Sequence, residues 1–195
     1  MHEREDVIES VVTDSRVDLG DEVLALAARS ERAAFLTLYD RYAERVERYV
    51  LARVQNRSDA EDVVSATFMQ ALAKIDTFDS TRGSFAGWLF GVARNAVNMH
   101  HRNHRPCQPN VAEEQPDNEM MPEDAAIQAE QTHAVRAAMK RLTEEQQDAL
   151  ALRYLADLPF AEVARQLGKS EGATKMLVNR GVRALRRYLE EQEQR

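Results

Sequence analysis

The side chains whose types and spacing suggest chemistry in this chain are cations near the C-terminus. Residues 171–187 contain five cations and one acid, a local net charge of +4. Residues 160–167 before them have apolar side chains at helical spacing, and residues 168–170 interrupt that pattern. Gly168 suits the left-handed conformation that ends a helix, and Ser170 can cap the helix that follows. The sequence therefore predicts a helix-turn-helix whose basic second helix fits the major groove of DNA.

The net charge of −7 is unusual for a DNA-binding protein, but the charge is unevenly distributed. Residues 1–22 contain eight acids and two cations, a balance of −6, and residues 106–130 contain seven acids and no cation. The remaining residues therefore have a net charge of +6. Charge separated by segment indicates partners better than the total does, so nucleic acid stays the first partner to consider.

The composition favours an all-α protein in a reducing compartment. Apolar residues make up 44% of the 195 residues, while there are only 7 glycines and 5 prolines, which is typical of helical proteins. The single cysteine excludes an internal disulfide. There is neither an apolar run long enough to span a membrane nor a signal-peptide pattern at the N-terminus. We therefore expect a cytoplasmic protein without membrane insertion.

Hydrophobic periodicity divides the chain into two small helical domains joined by a flexible acidic linker. An acidic tail is predicted over residues 1–20, a helical bundle over 21–105, the linker over 106–124 and the second domain over 125–195. The predicted bundle helices cover residues 21–29, 30–54, 59–75 and 84–103. Ser30 is expected to cap the second of these helices. Ser58 with Glu61 and Thr143 with Gln146 are expected to form capping boxes.

Two other kinds of site are disfavoured. His101, His104 and Cys107 are spaced like zinc ligands, but Pro106 ends the helix and no fourth ligand is evident, so we expect no metal or other cofactor. The chain also has no glycine-rich phosphate loop, no paired catalytic carboxylates and no nucleophile beside a base. We therefore expect a protein that is not an enzyme and has no catalytic residues.

Three separated segments together resemble a known family. AEDVVSATFMQAL (60–72), FDSTRGSFAGWLFGVARN (78–95) and LALRYLADLPFAEVARQLGKSEGATK (150–175) are similar to regions 2 and 4 of bacterial sigma factors, most of all the extracytoplasmic-function (ECF) group. The resemblance extends over residues 21–190 and includes the order and spacing of the segments. It implies a transcription initiation factor that binds RNA polymerase core, reads the minus-35 element as duplex through region 4 and opens the minus-10 element through region 2.

The resemblance also implies roles for individual residues. The minus-35 element would be contacted by Ala173, Lys175, Met176, Asn179, Arg180 and Arg183. The minus-10 element would be contacted by Phe78, Asp79, Ser80, Arg82, Ser84, Trp88, Asn95 and Arg102. The clamp of the largest polymerase subunit would be contacted by Asp62, Ser65, Gln70 and Lys74. Region 4 would meet the beta flap of the polymerase, and an anti-sigma factor would hold the protein inactive.

Some assignments remain open at the level of sequence. Trp88 lies three residues after Phe85 on an apolar stripe, so it is either packed in the core or available to unpaired bases. Asn95 is either a base-reading amide or a solvated helix residue. The acidic linker either mimics nucleic acid in a basic polymerase channel or is a plain spacer. The alternative function is a helix-turn-helix regulator that does not act as an initiation factor.

Overall fold

A computed structural model describes residues 20–54, 56–104, 135 and 137–193 of the chain. The predicted linker, most of the predicted N-terminal tail, Arg105 and Cys107 lie outside these residues. The described part is all-α and contains no strand. Its main helices are α1 (Asp21–Ala27), α2 (Arg32–Leu51), α3 (Arg57–Ala73), α4 (Phe85–Asn103), α5 (Glu144–Leu150), α6 (Phe160–Leu167) and α7 (Glu171–Glu193).

The first four helices form a bundle around an aromatic core. Tyr49, Phe78, Phe85 and Phe90 are among the largest side chains that are fully buried. Phe85 packs edge-to-face on Phe78 with ring centroids 5.7 Å apart, and Tyr49 packs in the same way on Phe90 at 5.5 Å. Such pairs add to the stabilisation that comes from burying their surface. The bundle therefore fixes the start of α4 through large, rigid side chains.

The helix starts of the bundle differ from the predicted caps. Ser84 caps α4, because its Oγ accepts a hydrogen bond from the Gly87 amide at 3.0 Å. The predicted Ser58–Glu61 capping box is wrong, since α3 begins one residue before Ser58 and Asn56 caps it. Ser30 is not a cap either, because α2 begins after Glu31, without a side-chain cap. In both cases the helix begins within two residues of the predicted position.

The second domain contains the predicted helix-turn-helix. Thr143 and Gln146 form the expected capping box at the start of α5. This helix continues as one π-helical segment, Ala151–Leu155, before the chain turns toward α6. Gly168 ends α6 in the left-handed conformation with φ 63°, where a side chain would be strained. The local signals in the sequence thus set the limits of this motif correctly.

The two domains share one hydrophobic core in this structure. Leu152, Leu158 and Val163 from the second domain belong to the same buried cluster as the aromatic side chains of the bundle. A second, smaller cluster lies under α7 and includes Met139, Leu150 and Val178. The second domain therefore has a small core of its own and packs the rest of its apolar surface on the first domain.

Candidate nucleic-acid interface

The helix-turn-helix presents one face of α7 to solvent. Thr174 and Val178 point inward and are 0% and 1% exposed, so they fix the rotation of the helix on α5 and α6. The Oγ of Ser170 accepts a hydrogen bond from the Ala173 amide at 3.2 Å and satisfies the first turn. All six residues predicted to contact the minus-35 element are exposed, namely Ala173, Lys175, Met176, Asn179, Arg180 and Arg183.

The cations on this face are not equivalent. The Lys175 ammonium lies 2.6 Å from the Glu171 carboxylate and 5.6 Å from the centre of the Phe160 ring. A contact between Lys175 and a base would first have to replace these interactions. Arg180 has no ion-pair partner among the described residues, so its guanidinium can donate two hydrogen bonds to a guanine edge or a phosphate.

The loop of residues 78–84 joins the core to the start of α4. Asp79 accepts hydrogen bonds from the amide and the hydroxyl of Thr81, at 3.0 and 2.7 Å, and these bonds lower the pKa of its carboxyl group. Arg29 donates a hydrogen bond to the Phe78 carbonyl at 2.6 Å from the other side. Ser80 and Arg82 remain exposed. The loop is therefore held by hydrogen bonds within it and by one from Arg29, while Ser80 and Arg82 stay accessible.

Phe78 and Trp88, both predicted to contact the minus-10 element, have different environments. The Phe78 side chain is 1% exposed and packs on Phe85, so its ring has no free face for a base. This placement corrects the expectation for Phe78. Trp88 is half-buried, with ring centroids 5.6 Å from Phe85 and 5.9 Å from Phe78. Trp88 thus packs against the core and keeps a partly accessible edge.

The outer side of α4 supplies the remaining polar groups of the predicted minus-10 surface. Asn95 and Arg102 are exposed and lie two turns apart. Arg94, a further cation on the same helix, binds Asp148 of the second domain at 2.9 Å. No local pattern could indicate this pairing, because 54 residues separate the two side chains.

A shallow groove lies between α2 and α3. It is lined by Tyr39, Glu47, Glu61, Val64, Ser65, Phe68 and Met69. Ser65 is predicted to contact the polymerase, whereas Tyr39 lies at helical spacing from the apolar Phe35, which by itself would predict burial. Tyr39 and Met69 are in fact 41% and 70% exposed. Of the other predicted docking residues, Asp62 and Lys74 are exposed and Gln70 is half-buried.

The histidines at the end of α4 do not form a metal cluster. Within the described residues, no three His, Cys, Asp or Glu side chains come together in a way that could hold a metal ion. His104 stacks on His100 with ring centroids 4.2 Å apart, and Cys107 lies outside the described part. Burial lowers the pKa of His101, and the nearby Arg53 lowers it further.

None of the helices in the described part is long and apolar enough to cross a membrane.

Comparisons with known proteins agree with this arrangement. Residues 38–106 match Sigma-70 region 2, and residues 138–187 match Sigma-70, region 4. The ECF RNA polymerase sigma factor BldN of Streptomyces coelicolor is 39% identical over 171 residues, which are 86% of this chain and 65% of BldN. The chain thus spans slightly less than two thirds of the length of BldN.

Two solved structures share the fold. The structure of CnrH in complex with the cytosolic domain of CnrY has a TM-score of 0.68 at 22% identity, and covers 88% of this chain and 97% of CnrH. The sigma factor RpoE in complex with the anti-sigma factor NepR from Bartonella quintana has a TM-score of 0.63 at 20% identity, and covers 80% of this chain and 96% of RpoE.

Proposed function

Because the chain belongs to the ECF group of the bacterial sigma-70 family, we propose that it binds RNA polymerase core and directs transcription initiation at specific promoters. The observation that supports this proposal is that one chain has two separate exposed surfaces whose side chains suit contact with nucleic acid. One is the solvent-facing side of α7, and the other is the ordered loop of residues 78–84 with the outer side of α4. A regulator that only binds duplex DNA would need the first surface alone.

The α7 surface would read the minus-35 element in the major groove. Arg180 can pair with a guanine edge and Asn179 with adenine, while Met176 can contact a thymine methyl group. All three side chains are exposed on one helix whose opposite face is buried. Arg183, farther along α7, would bind the DNA backbone and so position the helix without specifying sequence.

The first domain would hold bases of the opened minus-10 element. Strand opening requires unpaired bases to be bound by hydrogen bonds and stacking surfaces. Asp79, Ser80 and Ser84 offer polar groups on the loop, and Arg82 offers a cation. The partly accessible edge of Trp88 and the amide of Asn95 extend this surface along α4.

Polymerase would be bound at both domains. The groove between α2 and α3, with the exposed side chains of Tyr39 and Met69 at its rim, would dock on the clamp of the largest subunit. Asp62, Ser65, Gln70 and Lys74 would surround this contact, and the second domain would meet the beta flap. Because the related RpoE was solved with an anti-sigma factor, we further propose that a partner of that kind covers these faces in the inactive state.

The chain would therefore be a cytoplasmic initiation factor without catalytic activity of its own. This agrees with the matched relatives, which are RNA polymerase sigma factors.

Run-off transcription with purified core polymerase tests the proposed function. A library of random promoter sequences would be transcribed by core with the protein, by core alone, and by core with a Tyr39→Ala Met69→Ala variant. We expect defined transcripts with the wild-type protein and loss of core binding in the variant. Because the Tyr39 ring packs on Phe68, the melting temperature of the variant would be compared with that of the wild-type protein. Stable core binding without transcription from any promoter would overturn the proposal.

A further inference from the structure

Residues 21–29, which contain α1, contact the loop of residues 78–84 at its two ends. The match to Sigma-70 region 2 begins at residue 38, so α1 lies before it. Leu24 and Ala25 on the inner face of α1 are buried in the same core as the aromatic side chains of the bundle. Helix α1 is therefore packed into the first domain, and its position relative to the loop is fixed.

The first end of the loop is held by Arg29, which follows α1. Its guanidinium donates a hydrogen bond to the Phe78 carbonyl at 2.6 Å, and a charged donor makes such a bond stronger. Hydrogen bonds from Thr81 lower the pKa of the Asp79 carboxyl group. The charges of Arg82 and Arg29 lower this pKa further. Arg29 thus binds the backbone where the loop begins and favours the charged form of the first polar side chain in it.

The second end of the loop is held by Glu22, in the first turn of α1. Its carboxylate accepts a long hydrogen bond, 3.4 Å, from the Phe85 amide. Phe85 is the first residue of α4, where free amides and a partial positive charge favour an acidic group. One short segment, residues 22–29, therefore contacts the loop through a cation at its beginning and through an acid at its end.

Helix α1 is itself fastened to α2. Asp21 accepts hydrogen bonds from the Arg41 guanidinium at 2.7 Å and from the Tyr42 hydroxyl. The buried Tyr42 ring packs edge-to-face on Phe85, with ring centroids 5.4 Å apart. Asp21 therefore connects α1 to the aromatic core that holds the start of α4, and a shift of α1 would disrupt these contacts.

The ends of a short loop restrict the conformations that the residues between them can adopt. The polar groups proposed to bind an opened minus-10 base lie between the two held positions, residues 78 and 85. Selection of a base needs hydrogen-bonding groups at fixed positions, since a displacement of about 1 Å can remove their effect. On the basis of the proposed function, we propose that Arg29 and Glu22 are positioning residues for this loop, which set base selectivity at the minus-10 element without touching DNA.

The competing explanation is a direct contact between Arg29 and a DNA phosphate, because Arg29 is an exposed residue. A phosphate contact changes the affinity for every sequence alike, and its loss reduces the salt dependence of binding. A displaced loop instead changes the ratio of affinities for different bases at one position. The two explanations are therefore distinguished by base selectivity and by salt dependence.

Base selectivity would be measured on holoenzyme assembled from core polymerase and each protein. The probe is a fluorescent single strand of the minus-10 element from a promoter found by the run-off transcription assay, with each of the four bases placed in turn at each position. The test variants are Arg29→Ala and Glu22→Ala. Arg32→Ala and Glu44→Ala are the matched controls, because these residues are exposed and their loss changes the net charge by the same amount. Glu22→Gln keeps an acceptor for the Phe85 amide.

We expect the wild-type holoenzyme to prefer one base by about tenfold or more at one or more positions. Arg29→Ala and Glu22→Ala should lower this ratio to less than about threefold, because the loop is no longer held at one of its ends. Glu22→Gln and both controls should keep the ratio, and the salt dependence of binding should be unchanged in every variant. Each value is a ratio measured on one protein, so a smaller active fraction cancels.

An unchanged base ratio in either alanine variant would overturn the role of that residue. A uniform loss of affinity with reduced salt dependence in Arg29→Ala would overturn positioning in favour of a phosphate contact. Loss of selectivity in Glu22→Gln would overturn the part given to the hydrogen bond from the Phe85 amide. A wild-type holoenzyme without base preference at any minus-10 position would instead refute the proposed function.

Discussion

The two helices proposed to meet DNA, α4 and α7, have similar lengths but opposite environments. Helix α4 has 19 residues, and eight of them are buried, including Phe85, Leu89 and Phe90. Helix α7 has 23 residues, and its inner face rests on a small cluster through residues such as Val178. Side chains that read duplex DNA must be free to reach base edges. Strand opening, by contrast, needs a rigid surface on which unpaired bases can bind. Substitutions in α4 should therefore affect folding and function together, and substitutions on the outer face of α7 only function.

The strongest test of this difference is Phe85→Ala. Its ring is 1% exposed and packs on Tyr42, Phe78 and Trp88. Loss of a buried aromatic ring should lower the free energy of unfolding by about 3–5 kcal/mol. Urea unfolding followed by the fluorescence of the single tryptophan, Trp88, would measure this change. Met176→Ala on α7 is the matched control and should change stability by less than about 0.5 kcal/mol. Equal effects of the two substitutions would remove the distinction between the helices.

The second test separates cations within α7. Arg180→Ala should weaken binding to a minus-35 duplex by about 1–3 kcal/mol, provided that the guanidinium pairs with a base. Lys175→Ala should have a smaller effect, because binding must first replace the ion pair between Lys175 and Glu171. Fluorescence anisotropy with a promoter duplex found by the run-off transcription assay would measure both affinities. The melting temperatures of the two variants should equal that of the wild-type protein. A larger loss for Lys175→Ala would show that its ion pair does not restrain it.

The third test concerns the start of α4. Ser84→Ala removes the cap on the Gly87 amide and the hydrogen bond to Glu162, and should cost about 1 kcal/mol of stability. Ser80→Ala, in the exposed part of the same loop, is the control and should be neutral. Denaturant unfolding of both variants would give the comparison. An undiminished stability in Ser84→Ala would mean that the start of α4 is held by the aromatic core alone.

The smallest expected effect is a dependence on pH. Burial, Arg53 and His100 lower the pKa of His101, while Glu144 and Asp148 oppose this shift. The unfolded chain therefore binds more protons than the folded chain below the ordinary histidine pKa of about 6.5. Stability should be retained above that pH and decline as the pH falls below it. His101→Gln should show a smaller decline in melting temperature between pH 7.5 and 5.5, and an identical decline would exclude this contribution.

Much of the fold follows from local patterns in the sequence. The helices, the Thr143–Gln146 capping box and the left-handed Gly168 are all as expected, because each depends on residues within a few positions along the chain. One error is of the same local kind, and the other depends on packing between helices. Asn56 competes with Ser58 for the start of α3, and the exposure of Tyr39 depends on how closely its neighbouring helix packs.

The sequence indicates which types of residue form the candidate site better than it indicates which of their side chains are exposed. The exposed residues of α7 follow directly from helical spacing, since the buried Thr174 and Val178 fix which side faces out. The loop before α4 contains both accessible polar groups and the buried Phe78. An aromatic residue in a polar loop gives no local sign of which way its ring points, and only the surrounding Phe85 and Trp88 show that it belongs to the core.

The sequence by itself determined the all-α class, the helix-turn-helix, the charge distribution and the resemblance to regions 2 and 4, since these are properties of short segments. Tertiary structure alone decided that Asp148 pairs with Arg53 and Arg94, and that Glu162 and Gln166 lie on Gly87 and Gly91. All these partners are at least 54 residues apart, which is the separation between Arg94 and Asp148. No periodicity relates residues so distant, so the contact between the domains depends on how their surfaces pack.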